Sequence, residues 1–440
     1  MRILRTIAAA ALIAGAAFSS AAQSLCEAVT FTLDHPDGVY EPGQTVHVTA
    51  VPEKDYDKPL DVEIWVNGIQ KETLALGKLN GRTEIWSDIR TEPTAVKLVF
   101  RPQGSEDSED FMKIGYVVGR EGFRPGFTKP SDYRRFWKGQ IKEMQRSPME
   151  VKLDPVDSGV EGIECFAIEI SMPEGAPVRG FVARPKDAAA KSLPAMLHFR
   201  AAGVAGSWCR AYASTAVGFA SKGGIAMDIN AHGMLNVADE QYFKDLEDGP
   251  LNGYSTRAPA NHEDYYFRLM FLRARRALDY LCGQKEWDGK RLMVYGESQG
   301  GAQSAAMLGL DRRVSHAVLI VPAMIDTGGN LEGRRSGWPQ PLERYGNGTP
   351  EVAVAPYYDG ALFLKGCKAD ICAEIALVDD ACPVGGIMAG LNGTKGHNII
   401  MTYPYRDHWS AHIPDKYLPR WRSEVEAKRN AFVDAFFGKK

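Results

Sequence analysis

In the first quarter of the chain apolar and polar positions alternate in short runs: Val29-Thr30-Phe31-Thr32-Leu33, Thr45-Val46-His47-Val48 and Val62-Glu63-Ile64-Trp65-Val66. A period of two puts every second side chain on one face, which marks strands buried on one side only. Turn chemistry separates the runs at Pro36-Asp37-Gly38, Glu41-Pro42-Gly43 and Asn67-Gly68, and residues 97–100 and 114–118 supply the closing strands. Short strands at this spacing predict a small all-β, immunoglobulin-like sandwich over residues 25–119.

Beyond a Gly-, Pro- and Arg-rich linker at 120–130 the pattern changes. Continuous apolar runs appear at 194–199, 224–229, 292–295, 317–321, 371–378 and 399–403. Between them lie segments of helical character at 208–221, 265–282, 299–310 and 421–437. Strands without alternation are covered on both faces, so residues 120–440 read as an α/β domain: a mostly parallel sheet with helices on both sides.

The extreme N-terminus follows neither pattern. Arg2 and Arg5 precede an apolar run over residues 7–18, and Ser19, Ser20, Ala21 and Ala22 follow it. That layout predicts a signal peptide over residues 1–22 and a secreted or periplasmic protein. The run is shorter than the ~20 residues a spanning helix needs, and no later segment is long and apolar enough to span. Export permits disulfides, but seven cysteines leave at least one thiol unpaired within the monomer. A net charge of −3 offers no basic stripe, which argues against a nucleic-acid partner.

The chemistry centres on Gly296-Glu297-Ser298-Gln299-Gly300, which ends an apolar run and opens a helical segment. This is the context of a nucleophile elbow, where glycines clear space around a serine on a sharp strand-to-helix turn. Serine needs a base, and the base an orienting carboxylate, in the chain order Ser, acid, His. Of the four later histidines, His316 and His397 open strands, at the wrong end of the sheet. His408 follows a strand's C-terminal end, where catalytic groups gather in such sheets. Leu377-Val378-Asp379-Asp380 ends the preceding strand, making Asp379 the expected acid and Asp380 its reserve. His408 and His412 are four apart, but Trp409 stands where a metalloprotease carries Glu, so neither metal nor cofactor is expected. Trp208, Trp338 and Trp409 are the candidate substrate-pocket aromatics, with Tyr254 and Tyr345 as further ones.

From residue 127 to its C-terminus the chain resembles the acetyl xylan esterase / cephalosporin C deacetylase family of α/β-hydrolase carbohydrate esterases. The resemblance rests on Lys129-Pro130-Ser131-Asp132-Tyr133, Phe136-Trp137, residues 273–281, Gly296-Glu297-Ser298-Gln299-Gly300-Gly301 and Asp311-Arg312-Arg313-Val314. Tyr358-Asp359, Leu377-Val378-Asp379, Cys382-Pro383 and Tyr403-Pro404-Tyr405 continue it. It implies Ser298, Asp379 and His408 as the triad, and an oxyanion hole from the amides of Gln299 and Ala202. It also implies deacetylation of an acetylated oligo- or polysaccharide such as xylan, with a homo-oligomer left open. The chain departs from the family at Phe199-Arg200-Ala201-Ala202 (Phe-His-Gly-Tyr in the family) and at Asn230-Ala231-His232-Gly233, where Arg-Gly-Gln is usual. Two rival readings remain: a carboxylesterase or peptidase of the same fold, and a non-catalytic glycan-binding surface protein.

Overall fold

A computed structural model describes residues 24–53, 56–105, 110–259 and 261–438; the expected signal peptide lies outside them. Eight strands come first: β1 (Val29–Leu33), β2 (Val39–Tyr40), β3 (Thr45–Pro52), β4 (Leu60–Val66), β5 (Ile69–Gly77), β6 (Thr83–Ile89), β7 (Thr94–Pro102) and β8 (Met112–Val118). They form two sheets, β1-β3-β6 and β2-β8-β7-β4-β5. Alternate residues meet between them: Val46, Val48 and Ala50 share a core with Val62, Ile64 and Leu98. Phe31 stacks on Phe100 at 4.8 Å across the gap. Strands β5 and β6 carry too few inward apolar residues to show in the pattern; β6 buries Ile85 alone. An edge strand such as β5 needs no apolar face.

Nine further strands make the second sheet: β9 (Val151–Val156), β10 (Ile163–Ile170), β11 (Val178–Pro185), β12 (Leu193–Phe199), β13 (Ile225–Ile229), β14 (Trp287–Glu297), β15 (His316–Ile320), β16 (Asp370–Ala376) and β17 (Asn398–Tyr403). Their order is β9-β10-β11-β13-β12-β14-β15-β16-β17. The six strands β12 to β17 run parallel, and β9, β10 and β11 are antiparallel. This is the α/β-hydrolase fold. Leu197 and Val294 face the helices Phe267–Cys282 and Gln299–Leu310. Met196 and Met293 face the opposite way, into a core shared with helix Ala427–Phe437 and the β-sandwich. The antiparallel strands escaped the sequence pattern because β9 is an exposed edge and β10 is only half covered.

One expected helix is shorter than its pattern, and another, 421–437, is helical throughout. Only Ala213–Ala220 of the 208–221 segment is α-helical. Before it, Glu240 holds the Arg210 guanidinium at 2.6 and 2.7 Å, and Asp228 accepts the Tyr212 amide at 2.7 Å. These bonds compete with a continuous helix. In the 421–437 segment a π-turn, Arg422–Glu426, precedes Ala427–Phe437.

The sandwich meets the hydrolase sheet where β16 and β17 end. Gly115 N–H donates to Pro404 O at 2.9 Å, and Tyr405 O–H donates to Phe31 O at 3.2 Å. A Cβ on Gly115 would lie 2.3 Å from Leu377 O, so only glycine permits this approach. All seven cysteines are free thiols. Among the described residues no helix is long and apolar enough to cross a membrane.

Candidate active site

Ser298 sits between β14 and the helix Gln299–Leu310 with φ 53° and ψ −118°, a conformation rare for a residue with a side chain. Such strain costs about 1–3 kcal/mol and persists only where the surroundings enforce it. Here Ser298 N–H donates to Ile320 O at 2.9 Å, while its carbonyl accepts from Ala302 N at 3.1 Å and Ala323 N at 2.9 Å. The flanking glycines clear the space: a Cβ on Gly296 would lie 2.1 Å from Gly300 C, and one on Gly300 2.4 Å from Phe199 O. The strand therefore turns into the helix with its serine raised above the sheet edge.

His408 enters from the loop after β17 and Asp379 from the turn after β16. His408 Nε2 is 2.9 Å from Ser298 Oγ, and its Nδ1 is 2.8 Å from Asp379 Oδ2. The other carboxylate oxygen, Oδ1, accepts the amides of Ala381 at 2.8 Å and Cys382 at 2.9 Å. Three side chains 110 and 29 residues apart in sequence thus form one line of hydrogen bonds. Burial pulls the His408 imidazole down, but the hydrogen bond and charge of Asp379, with Glu297 behind it, outweigh this and leave it above its ordinary value. Asp380 points elsewhere, to Lys97 of β7 at 2.5 Å and Arg335 at 3.9 Å. His412 is exposed and bonds Asp407 at 3.1 Å. His316 lies at the far, N-terminal end of its strand.

The three side chains open into a cavity of about 650 Å³. Trp208, Trp338 and Trp409 all line it. Trp208 and Trp409 are 52% and 48% exposed and meet edge to face at 6.2 Å, and Trp409 stands 5.5 Å from the His408 ring. Tyr254 and Tyr345 do not line it: Tyr254 is buried, and Tyr345 donates to Thr256 O. Ala202 lines the same cavity as Ser298, and the Gln299 amide opens the helix that follows the serine. Among the described residues neither amide has a hydrogen-bond acceptor, so both are free to receive negative charge.

The charges behind the serine leave no mark in the local residue pattern. Arg406, buried to 1% exposure, bonds Glu297 at 2.9 Å and the fully buried Glu374. Glu374 also accepts from Arg429 and from Trp421 Nε1. Its three donors come from β17's loop and the C-terminal helices, a convergence that no local pattern encodes. One cluster has the donor set for a metal: Asp379, Cys382 and His408 place ligand atoms within 4.8 Å of one another. Asp379 and His408 are already bonded there, and burial with the Asp379 charge keeps the Cys382 thiol protonated.

Residues 120–332 match the family model of acetyl xylan esterase (AXE1). The acetyl esterase Axe7A of Xylanibacter ruminicola is 27% identical over 386 residues, covering 86% of this chain and 86% of that protein. The match places an acetyl xylan esterase domain at residues 120–332. The family comprises hydrolases of ester bonds, and the fold agrees with it. The acetyl xylan esterase from Paenibacillus sp. R4 superposes with a TM-score of 0.58 at 23% identity, covering 72% of this chain and 98% of its own. Acetyl xylan esterase 1 from Thermoanaerobacterium sp. JW/SL YS485 gives 0.56 at 20%, covering 70% and 97%.

Proposed function

We propose that this esterase removes acetyl groups from acetylated xylan or xylo-oligosaccharides through an acyl-enzyme on Ser298. The observation that carries the reading is the hydrogen-bonded line Ser298–His408–Asp379 at the base of a tryptophan-flanked cavity. His408 takes the Ser298 proton, and the alkoxide adds to the acetyl carbonyl. The oxyanion forms against the amides of Gln299 and Ala202, a stabilisation worth about 3–4 kcal/mol per donor. His408 then protonates the departing sugar hydroxyl, and a water activated by the same imidazole releases acetate. Asp379 keeps the imidazole in the Nδ1–H tautomer throughout. The residue 1–22 pattern supports export, which suits a polymeric substrate.

Acetate release from acetylated xylan, compared with hydrolysis of long-chain esters and peptides, tests the reading. Turnover confined to the latter overturns it. The base must be neutral to act, so kcat/KM is expected to rise with pH through a midpoint above 6.5, the ordinary histidine value. A midpoint below it contradicts the Asp379 hydrogen bond.

The exposed indoles of Trp208 and Trp409 offer a stacking surface to a sugar ring. Trp409→Ala is expected to raise KM for acetylated xylo-oligosaccharide about tenfold, the equivalent of ~1.4 kcal/mol. KM for ethyl acetate, which has no ring to stack on the indoles, should stay within twofold. Steady-state kinetics on both substrates measures the difference.

A further inference from the structure

We infer that Tyr254 and His232 are positioning residues for the oxyanion hole, holding in one frame the two backbone segments that carry its amides. The inference rests on the esterase reading above, with Ala202 and Gln299 as donors. The loop Ala201-Ala202-Gly203 has no side chain with which to anchor itself. Its backbone is held from outside. Trp208 Nε1–H donates to Ala202 O at 2.7 Å. Gly203 N–H donates to the Tyr254 hydroxyl at 3.2 Å, and Gly203 O lies 2.9 Å from His232 Nε2. The Tyr254 hydroxyl in turn donates to Gln299 Oε1 at 2.6 Å. One phenol therefore joins the residue after the first donor to the side chain of the second.

The chemistry of His232 suits a clamp. Its Nδ1 is 2.7 Å from the Tyr266 hydroxyl, whose proton assigns Nε2–H as the donor to Gly203 O. Burial, with the Arg273 charge beside it, pulls this imidazole down to about 3, so it stays neutral wherever the esterase works. Tyr254 is 6% exposed and enclosed by the His232 ring at 4.6 Å and the Tyr266 ring at 5.0 Å. It lies outside the cavity lining, so it acts through the backbone and not on the substrate. Gly203 itself has φ 129°, a conformation that side-chain-bearing residues rarely adopt and that these contacts maintain.

A misplaced donor is felt at the oxyanion and hardly in the ground state, so the loss falls on kcat. The test uses Tyr254→Phe, His232→Leu and His232→Gln, assayed with p-nitrophenyl acetate, an arylboronic acid as tetrahedral analogue, and fluorophosphonate titration of active sites. Tyr254→Phe and His232→Leu are expected to lower kcat per titrated site 10- to 100-fold, with KM within twofold and boronate affinity reduced by a similar factor. His232→Gln, which keeps a donor for Gly203 O and an acceptor for Tyr266, is expected to recover most of kcat. Three results overturn the inference: unchanged kcat per titrated site in both variants, with any loss explained by fewer folded sites; a change confined to KM; or a kcat loss without loss of boronate affinity. Ser298→Ala run in parallel separates the two claims, since activity retained there refutes the esterase reading itself.

Discussion

Ser298→Ala is expected to abolish turnover of p-nitrophenyl acetate and acetylated xylan, lowering kcat about a million-fold, as loss of the nucleophile does in serine hydrolases. The size follows from the chemistry: without the hydroxyl no acyl-enzyme forms, and the oxyanion donors act only on direct attack by water. The fold should survive. The backbone bonds that hold residue 298 at φ 53° come from Ile320, Ala302 and Ala323 and do not involve Oγ. The variant should therefore melt within a few degrees of the parent and lose fluorophosphonate labelling altogether. Labelling or turnover retained in a folded variant would place the nucleophile elsewhere.

Asp379→Asn is expected to cost about 10⁴-fold in kcat, by the tautomer effect known for triad carboxylates. The geometry explains why the amide fails. The amides of Ala381 and Cys382 both donate to Oδ1, so an asparagine must put its carbonyl oxygen there. Its NH₂ then faces His408 Nδ1, which becomes the acceptor, and the ring proton moves to Nε2. That nitrogen faces Ser298 Oγ at 2.9 Å and can no longer take its proton. Asp380→Asn is the control: it weakens a bond to Lys97 and should change kcat less than threefold. Comparable losses in the two variants would mean that Asp379 acts only by local structure.

Much of this arrangement is legible in the amino-acid sequence. The alternating runs around Phe31, Val48 and Ile64 are strands, because half-buried strands must alternate. The apolar runs of β12 to β17 are strands of a parallel sheet, because a sheet covered on both faces has no polar side. The elbow was legible because its glycines answer a local steric demand. Strands β5, β6, β9 and β10 were not: lying at sheet margins or half covered, they bear little of the pattern that reveals an element. The helical reading of 208–221 failed where Glu240 and Asp228, distant in sequence, hold Arg210 and Tyr212 in another conformation. Tyr254 looked like a pocket aromatic and lies instead buried against Gly203, since composition cannot tell which face of a loop a ring will take.

By itself the amino-acid sequence determined the two strand regimes, the elbow and the shortlist of a base and an acid, because each of these depends on neighbours a few residues away. Only the tertiary structure sets Asp379 beside His408 and draws Asp380 off to the Lys97 side chain. It also decided that Glu374 gathers Arg406, Arg429 and Trp421 behind the serine, and that the Tyr254 hydroxyl links the Gly203 amide to the Gln299 side chain. Those contacts join segments far apart along the chain. Their energies depend on distances that exist only after the sheet has closed.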